Sequence, residues 1–513
     1  HETSSHFTSF SQTRAILSKW TLPTKEKFEV LKTLQDLLTE LKQLVTWTYL
    51  DNPAQTMIEG ISFSSKEIKQ NFLFVCISGY RHDGHDYVNE AIHNGAVAIV
   101  AERPIEARVP VIYCKDTKHA LAELASAFYD HPSTRLRLHG VTGTNGKTTT
   151  TALAHQLFDH VGMSAGLIGT LGITYAGKTF ETPNTTPDPL TINRHLHAMV
   201  EAGVTDCLME VSSQAIAEAR IAGLEFETTS FLNLSHDHLD YHGTMETYAY
   251  TKAQLFTQLT ESGCGIVNED DPHHTLMLSM APSAANSFLF SRQSTAADLV
   301  GHRKDEQFML ELGDEAVQSP LPFYEAYNLD NTLCAISIVL QTGVPLAEVL
   351  PHVKKLTLPS GRLERVTGIE QSVYIDYGHT PDAIKQVVTA LTARYPRVLV
   401  LLSAAGERDR MKRNIMTEVV VASGADMILT VHDPRHEDPQ QILDDLATGQ
   451  SVEFARFDER EAAIRFFCER MDDYDCGVLF GKGHDRVERI GDAAVPFDEP
   501  ALVRRFLQSP ELP

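Results

Sequence analysis

The segment "GVTGTNGKTTT", residues 140–150, combines glycines with a lysine and threonines in a spacing that suits phosphate chemistry. It follows the apolar run "LRLH" and leads into the helix-like "TTTTALAHQLF". A glycine-rich turn between a strand and a helix lets backbone N–H groups approach phosphate oxygens. In such a loop Lys147 bridges the terminal phosphates and the Thr148 hydroxyl binds magnesium. The strict P-loop pattern needs glycine where this chain has Val141, so the segment is a variant of that motif.

A second segment, "NLSHDHLDYHG" over residues 233–243, is dense in potential metal ligands. His236, His238 and Asp240 have an H-x-H-x-D spacing typical of zinc hydrolases, although the further histidine of a dinuclear signature is missing. Glu210, at the end of the apolar run "CLMEV", is a candidate carboxylate for Mg²⁺, which prefers oxygen ligands. Two interpretations therefore stay open at this point, a zinc hydrolase and a magnesium-dependent enzyme acting on phosphate.

Composition limits the classes of function. The 513 residues predict two to four domains, and no run approaches the roughly 18 apolar residues of a membrane helix. A net charge of -24 disfavours nucleic acid as a partner. The N-terminal residues do not resemble a secretory signal. The seven cysteines are scattered without a C-x-x-C pair, which fits a reducing cytoplasm. We therefore expect a cytoplasmic protein without membrane or nucleic-acid partners.

Short apolar runs alternate with helix-like stretches, which predicts an α/β fold with mostly parallel sheets. Connections rich in Pro and Gly place domain boundaries near Ser133 and Pro359. The predicted domains are residues 1–133, which include an N-terminal extension, 134–358 and 359–513. Candidate strands occupy residues 72–79, 95–102, 109–114, 136–143, 206–211, 228–234, 263–268, 373–376, 398–403, 426–431, 451–457 and 476–480.

In their order and spacing, "GVTGTNGKTTT", "MEVSSQAI" and "NLSHDHLDYHG" resemble the motifs of the Mur ligases. The resemblance continues through "YNLDN", "SGRLERV", "DYGHTPDA", "GERDRMKR", "HDPRHEDP" and "GKGHD". It covers the chain from residue 58 onward and is strongest to the members that add the third residue of the peptidoglycan stem peptide. Such an ordered set of motifs is highly specific for the family.

The resemblance implies three domains: an N-terminal domain for the UDP part of the substrate, a central P-loop ATPase with a parallel sheet, and a Rossmann-like domain for the amino acid. It implies ATP-dependent ligation, with Mg²⁺, of meso-diaminopimelate to UDP-N-acetylmuramoyl-L-alanyl-D-glutamate through an acyl phosphate. We expect the protein to be a monomer. The alternatives are the same ligation with L-lysine, a folylpolyglutamate-type ligase, or a non-catalytic nucleotide-binding protein descended from a ligase.

The resemblance also assigns roles to individual residues. The catalytic set is Lys147, Glu210, His238 and Lys252, and Lys252 matches the carbamylated lysine of the family. The metal ligands are Thr148, Glu210, His238 and Lys252. The ATP-binding residues are Gly143, Thr144, Asn145, Gly146, Lys147, Thr148, Thr149, Asn328, Asn331, Arg362 and Asp376. The substrate contacts are Ser65 for the uridine, then Thr185, Thr186, Ser212 and Arg220, and finally Arg408, Asp433, Arg435, Gly481 and Asp485 for the amino acid.

The amino-acid specificity depends on Arg435 in "HDPRHEDP". Diaminopimelate differs from lysine by one distal carboxylate, and an arginine fork can hold a carboxylate with two parallel hydrogen bonds. The family members that add diaminopimelate have this arginine in D-N-P-R. Here His432 and Asp433 replace Asp-Asn, and Asp485 replaces Glu. The sequence therefore predicts diaminopimelate and leaves L-lysine as the alternative.

Overall fold

The computed structural model describes residues 30–41, 45–47, 52–79, 82–320 and 322–508. The chain forms two compact units, divided between Thr117 and Lys118. Most of the predicted N-terminal extension lies outside the described residues. Its described part contains the helix Leu34–Glu40, which begins at a capping box between Thr33 and Asp36. That box satisfies backbone N–H groups that would otherwise lack partners at the start of the helix.

The first unit contains a five-stranded sheet in the order β2-β7-β6-β5-β4, in which β4 to β7 are parallel. Apolar side chains of β5 and β6, such as Phe74 and Ile99, are fully buried. The three runs predicted as strands in this part of the chain are confirmed. The strands are β1 (Lys32–Thr33), β2 (Thr46–Trp47), β3 (Met57–Ile58), β4 (Gly60–Ser62), β5 (Phe72–Val75), β6 (Ala96–Ala101) and β7 (Val111–Tyr113). The helices after Leu34–Glu40 are Val88–Asn94 and, across the division between the units, Thr117–Phe128, with short 3₁₀ turns at Ser65–Glu67 and Gly84–Tyr87.

The second unit begins with an eleven-stranded sheet in the order β11-β10-β9-β12-β8-β13-β14-β15-β16-β17-β18. The strands from β9 to β16 in this order are parallel, and antiparallel strands extend both edges. The strands are β8 (Arg137–Thr142), β9 (Ala165–Gly169), β10 (Gly172–Tyr175), β11 (Lys178–Phe180), β12 (Asp206–Glu210), β13 (Phe226–Phe231), β14 (Leu259–Asn268), β15 (Asn286–Ser291), β16 (Leu299–Lys304), β17 (Gln307–Leu312) and β18 (Glu315–Pro320).

Helices cover both faces of this sheet, as expected for buried parallel strands. One hydrophobic core joins Leu153 and Leu157 to Leu333 and Ile336, and the other includes Leu196. The helices of this part are Lys147–His160, Pro189–Glu201, Ser213–Ala217, Leu239–His242, Met245–Ala253, His274–Ser279, Ala326–Leu340 and Leu346–Val353.

A six-stranded sheet follows in the order β19-β20-β24-β21-β22-β23, parallel except for β19, and a separate hairpin joins β25 to β26. The strands are β19 (Glu364–Arg365), β20 (Val373–Asp376), β21 (Val398–Ala405), β22 (Asp426–His432), β23 (Ala455–Phe457), β24 (Cys476–Phe480), β25 (Val487–Ile490) and β26 (Ala493–Pro496). The helices are Pro381–Thr392, Arg413–Ser423, Pro439–Ala447, Arg460–Arg470 and Glu499–Gln508.

The carboxyl ends of the parallel strands carry the sequence motifs. β8 and β12 are adjacent, with Val141 paired to Glu210, and β13 lies on the other side of β8. Ligands of open α/β sheets bind at this edge. The predicted strands are confirmed, although β23 is shorter than predicted, whereas the boundaries near Ser133 and Pro359 stay predictions. None of the helices in the described residues has the length and apolarity needed to span a membrane.

Candidate active site

The turn between β8 and the helix Lys147–His160 forms the predicted phosphate loop. Gly146 is the residue at the start of the helix and has φ 90°, in the left-handed region that favours glycine. A Cβ atom at this position would collide with Asn331 Oδ1. Glycine is therefore required here for two reasons, the backbone conformation and the close approach of a neighbouring helix.

Two lysines donate to the same backbone carbonyl of this loop. Lys147 Nζ lies 2.7 Å from Gly143 O, and Lys252 Nζ lies 3.0 Å from it. Lys252 belongs to the helix Met245–Ala253 and is only 1% exposed. Burial, and then the neighbouring charge of Lys147, lower the pKa of Lys252 well below its ordinary value. Lys147 and Lys252 therefore bring two amine groups to one carbonyl of a loop whose backbone N–H groups suit an anion.

Glu210 is the centre of a buried group of oxygen atoms. Its Oε2 accepts hydrogen bonds from Thr148 Oγ1 at 2.8 Å and from Thr170 Oγ1 at 3.0 Å. Its Oε1 accepts from the backbone N–H of Thr170 at 2.8 Å. The carboxylate is thus held in one orientation beside the first turn of the helix that follows the phosphate loop.

His238 lies on the loop after β13 with φ 54°, and its side chain is 55% exposed. Its Nε2 is 3.3 Å from Asp237 Oδ2. The ring also lies edge-on to Tyr248, 6.3 Å between centroids, and the Tyr248 hydroxyl is 3.2 Å from Thr144 Oγ1. Thr144 also accepts from the backbone of Ser235 at 3.0 Å. These contacts join the histidine loop to the phosphate loop.

The donors present suit a magnesium ion. Glu210 and Thr148 supply hard oxygen atoms within hydrogen-bonding distance of each other. In the described residues no group of three or more His, Cys, Asp or Glu side chains is arranged as a metal site. Mg²⁺ is commonly bound by one or two carboxylates together with substrate phosphates, and needs no cage of protein ligands. Among the described residues, the H-x-H-x-D spacing that suggested a zinc hydrolase gives no such group. His236 lies 3.8 Å from Asp409.

The residues assigned to the dipeptide substrate surround the end of β12. Thr186 Oγ1 donates to Glu210 O at 2.8 Å and accepts from the backbone N–H of Ser212 at 3.1 Å. Arg220 Nη1 donates to Thr186 O at 2.9 Å, and Thr185 Oγ1 is 3.0 Å from Thr170 Oγ1. These side chains form a continuous polar surface that ends at Glu210.

The residues assigned to adenine lie in the first turns of the helix Ala326–Leu340. Asn331 Nδ2 donates to Asn328 Oδ1 at 3.2 Å, and Asn331 Oδ1 accepts from Thr150 Oγ1 at 3.3 Å. Thr149 is 4% exposed in the first turn of the helix after the phosphate loop. Both asparagines are buried beside that loop.

Residues on the C-terminal side of the predicted boundary near Pro359 contact the phosphate loop directly. Arg362 Nη2 donates to Thr148 Oγ1 at 3.1 Å, and Asn145 Nδ2 donates to Asp382 Oδ2 at 3.1 Å. Asp376 accepts from the backbone N–H groups of Leu363 and Gly378, at 2.7 Å each. The carboxylate of Asp376 therefore orders the segment that carries Arg362.

A buried ion pair also joins the two sheets of this unit. Lys412 Nζ lies 3.1 Å from Asp237 Oδ1, and the two side chains are 10% and 4% exposed. Burial alone would raise the pKa of Asp237, but the charge of Lys412 lowers this pKa well below its usual range. The sequence motifs assign no role to four residues that make contacts in this site: Asp237, Lys412, Asp382 and Thr170. Asp237 lies within a recognised motif, but only the fold shows that Lys412 is its partner.

The residues assigned to the amino acid lie after the carboxyl ends of three strands: Arg408 follows β21, Asp433 and Arg435 follow β22, and Gly481 and Asp485 follow β24. Asp433 contacts Lys482 Nζ at 2.9 Å, while Asp485 lies in the turn after β24. Gly481 has φ 110°, and a Cβ there would collide with Ser403 and His432. Among the described residues, the Arg435 guanidinium has no hydrogen bond or ion pair. Burial, and then the charge of Arg408, lower the pKa of Arg435. Arg435 is thus available for an anionic ligand.

Ser65 lies in the first unit, at the start of a 3₁₀ turn. Its hydroxyl donates to Glu90 Oε2 at 2.7 Å, and its carbonyl accepts from Asn94 Nδ2 at 2.9 Å. The side chain is 7% exposed. The role of Ser65 in binding uridine stays a prediction.

The sequence patterns of three Mur ligase domains match this chain in order. The "Mur ligase family, catalytic domain" matches residues 57–129, the "Mur ligase middle domain" residues 141–339, and the "Mur ligase, glutamate ligase domain" residues 361–483. Together the three matches extend over both compact units.

Three curated relatives are similar in sequence to this chain over most of its length. A UDP-N-acetylmuramoyl-L-alanyl-D-glutamate–2,6-diaminopimelate ligase of Bacillus licheniformis is 36% identical, over 92% of this chain and 99% of its own length. A ligase with the same name from Bacillus cereus is 37% identical, over 89% and 95%. The UDP-N-acetylmuramyl-tripeptide synthetase 2 of Oceanobacillus iheyensis is 35% identical, over 87% and 93%.

Solved structures agree. One of a UDP-N-acetylmuramoyl-L-alanyl-D-glutamate–2,6-diaminopimelate ligase has a TM-score of 0.65 at 28% identity, covering 93% of this chain and 99% of its own. A Mycobacterium tuberculosis folylpolyglutamate synthase, at 15% identity, TM-score 0.59 and coverage of 77% and 95%, shares the fold. The predicted family, α/β architecture and enzyme class are confirmed. The chain belongs to the Mur ligase family of ATP-dependent amide ligases.

Proposed function

We propose that this protein uses ATP to join meso-diaminopimelate to UDP-N-acetylmuramoyl-L-alanyl-D-glutamate, in peptidoglycan precursor synthesis. The observation that carries the proposal is the convergence of Lys147, Lys252 and Arg362 on the phosphate loop, opposite a fixed carboxylate. Lys147 and Lys252 donate to Gly143 O, Arg362 donates to Thr148, and Glu210 accepts from the same Thr148. This arrangement suits the transfer of a phosphoryl group.

The chemistry follows from the weakness of a carboxylate as an electrophile. The glutamyl carboxylate of the substrate attacks the γ-phosphorus of ATP, ADP leaves, and an acyl phosphate forms. The amine of the amino acid then attacks the acyl carbon, and inorganic phosphate leaves. Such phosphoryl transfer needs positioning and neutralisation of charge more than a protein nucleophile.

The residues of this chain divide that work. Lys147 and Arg362 neutralise charge on the phosphates, and backbone N–H groups of the loop hold them in line. Glu210, Thr148 and His238 would hold Mg²⁺, which stabilises negative charge on the phosphate oxygens when bound. A carbamate on Lys252 would add a further anionic ligand. The pKa of Lys252, lowered first by burial, favours the neutral amine that reacts with carbon dioxide.

Diaminopimelate is proposed as the amino acid because no side chain in the described part of the chain pairs with the Arg435 guanidinium, which is left for a carboxylate of the substrate. The curated relatives at 36% and 37% identity are named for this amino acid, which supports the assignment. A folylpolyglutamate-type reaction is disfavoured, because the likeness to that enzyme is one of fold alone.

The proposed setting is the reducing cytoplasm, since all seven cysteines are free and buried. We also expect a monomer, which light scattering after size-exclusion chromatography would check.

Phosphate release tests the function. With ATP and Mg²⁺, release should require both the UDP-linked dipeptide and meso-diaminopimelate. When the glutamyl carboxylate carries ¹⁸O, one ¹⁸O atom should appear in the released phosphate. Release that proceeds without the dipeptide, or phosphate without ¹⁸O, would contradict the acyl-phosphate route. A panel of L-lysine, L-glutamate and diaminopimelate identifies the amino acid.

A further inference from the structure

The hairpin of β25 and β26 brings an arginine outside the recognised motifs to the amino-acid end of the site. Arg489 Nη1 lies 2.8 Å from Asp433 Oδ2 and 2.7 Å from Asp485 Oδ2. Its backbone N–H donates to Asp433 Oδ1 at 3.0 Å, and its carbonyl accepts from the backbone N–H of Arg435 at 3.0 Å. One residue therefore contacts three of the five residues assigned to amino-acid binding.

The charges explain why a cation is needed there. Asp433 stands where the family pattern has a neutral asparagine and His432 where it has an aspartate, so in this chain the negative charge lies at position 433. Glu488 is also close, since its Oε1 accepts from the backbone N–H of Asp433 at 2.8 Å. Burial would raise the pKa of Asp433, but the charge and hydrogen bond of Lys482 lower it. Asp433 is thus ionised, and Arg489 compensates both it and Asp485.

The backbone of residues 433–435 depends on the same contacts. Asp433 has φ 43° and Arg435 has φ 56°, a region that costs energy for residues other than glycine. Arg435 is held between Arg489 O and the backbone N–H of Gly491, which donates to Arg435 O at 2.8 Å. Such conformations persist only where surrounding contacts fix them. The hairpin therefore fixes the backbone from which the Arg435 side chain projects.

We propose that Arg489 is a positioning residue for the amino-acid substrate: by linking Asp433 to Asp485, it fixes the segment that presents Arg435 to the distal carboxylate of diaminopimelate. This inference rests on the proposed function. It gives two of the three departures from the family pattern, at positions 433 and 485, a shared physical reason, because both carboxylates meet one guanidinium nitrogen.

The first test compares Arg489→Met and Arg489→Lys with a matched control. Arg486 lies beside the same hairpin with similar exposure, and it pairs with Asp498. In Arg489→Met we expect the KM for diaminopimelate to rise about tenfold, the size typical of coupling within one salt-bridge network. The KM values for ATP and the UDP-linked dipeptide, and the Tm, should stay near wild type. Arg489→Lys should recover part of the loss, and Arg486→Met should change nothing.

The second test is a double-mutant cycle with Asp433→Asn. Removing the negative charge at position 433 should make Arg489→Met less costly than in the wild-type background. Additive effects would overturn the inference, as would an unchanged KM for diaminopimelate in Arg489→Met. A parallel rise of all three KM values with a fall in Tm would show a merely structural role. If the wild type does not use diaminopimelate at all, the proposed function fails instead.

Discussion

The phosphate end of the site, around Gly143 and Thr148, and its amino-acid end, around Asp433 and Asp485, are stabilised by different kinds of contact. At the phosphate end, Lys147 and Lys252 both donate to the main-chain oxygen of Gly143. At the amino-acid end, the side chain of Arg489 bridges the carboxylates of Asp433 and Asp485. A site built on main-chain atoms requires a particular backbone turn, whereas a site of paired side chains can exchange partners as long as charge stays balanced.

This difference agrees with where the chain departs from the family pattern. The phosphate loop keeps its glycines, lysine and threonine, and Gly146 has both a positive φ and a close neighbour that exclude other residues. The amino-acid end has Asp433 and Asp485 in place of Asn and Glu. Mutations at the phosphate end should therefore affect the chemical step, and mutations at the amino-acid end should affect the choice and binding of one substrate.

The largest effect is expected for Lys147→Ala. Loss of one cation that stabilises charge in the transition state commonly lowers kcat by about 10²–10³-fold. The fold should be retained, because the ammonium contacts loop carbonyls and contributes little to the hydrophobic core. Phosphate release and circular dichroism measure the two properties. Near wild-type turnover would show that Lys147 does not act on phosphate.

Lys252→Ala should lower kcat by about a hundredfold, comparable to the loss of one preorganised charge contact. If Lys252 acts as a carbamate, acetate or propionate should partly restore activity by supplying the missing carboxylate. Lys147→Ala is the matched control, since its missing cation cannot be replaced by an anion. ¹³C NMR after addition of ¹³C-bicarbonate should show a carbamate signal in the wild type that is absent from Lys252→Ala. Its absence from both would exclude the carbamate.

Arg435→Ala should remove the preference for diaminopimelate over L-lysine in kcat/KM. A fully buried, unpaired guanidinium would penalise lysine by about 2–5 kcal/mol. Arg435 is partly exposed, so water retains some of its hydration, and we expect a wild-type preference of about 10–100-fold. Both amino acids should be measured at saturating ATP and dipeptide, with Arg486→Ala as the control. Equal use of the two amino acids by the wild type would show that Arg435 does not select diaminopimelate over L-lysine.

The smallest effect is expected for Lys412→Met, which breaks the ion pair with Asp237 between the two sheets. Because Arg362 and Asp382 still join the sheets, kcat/KM should fall only about tenfold, the size of coupling energies within such networks. Asp237→Asn and the double variant complete the cycle. If the two single changes add independently, Lys412 and Asp237 are not energetically coupled and the ion pair does not contribute to activity.

The sequence predicted the strands with continuous β-branched or apolar runs, such as β6 and β21, because buried parallel strands have that composition. It did not predict β17 and β18 at the edge of the large sheet. Only alternate residues of β17, Phe308 and Leu310, are fully buried. A short alternating pattern on an exposed edge is a weaker signal than a continuous apolar run.

By itself, the sequence determined the phosphate loop, because a strand, a glycine turn and a helix N-terminus are contiguous and depend on local geometry. It also determined that Glu210 lies at the carboxyl end of a strand. Only the tertiary structure decided which charges meet. Lys252 reaches Gly143 from 109 residues away, and Arg362 reaches Thr148 from 214. Arg489 meets Asp433 across 56 residues, outside any motif. Contacts of this kind depend on the packing of sheets and loops, and short sequence patterns do not record them.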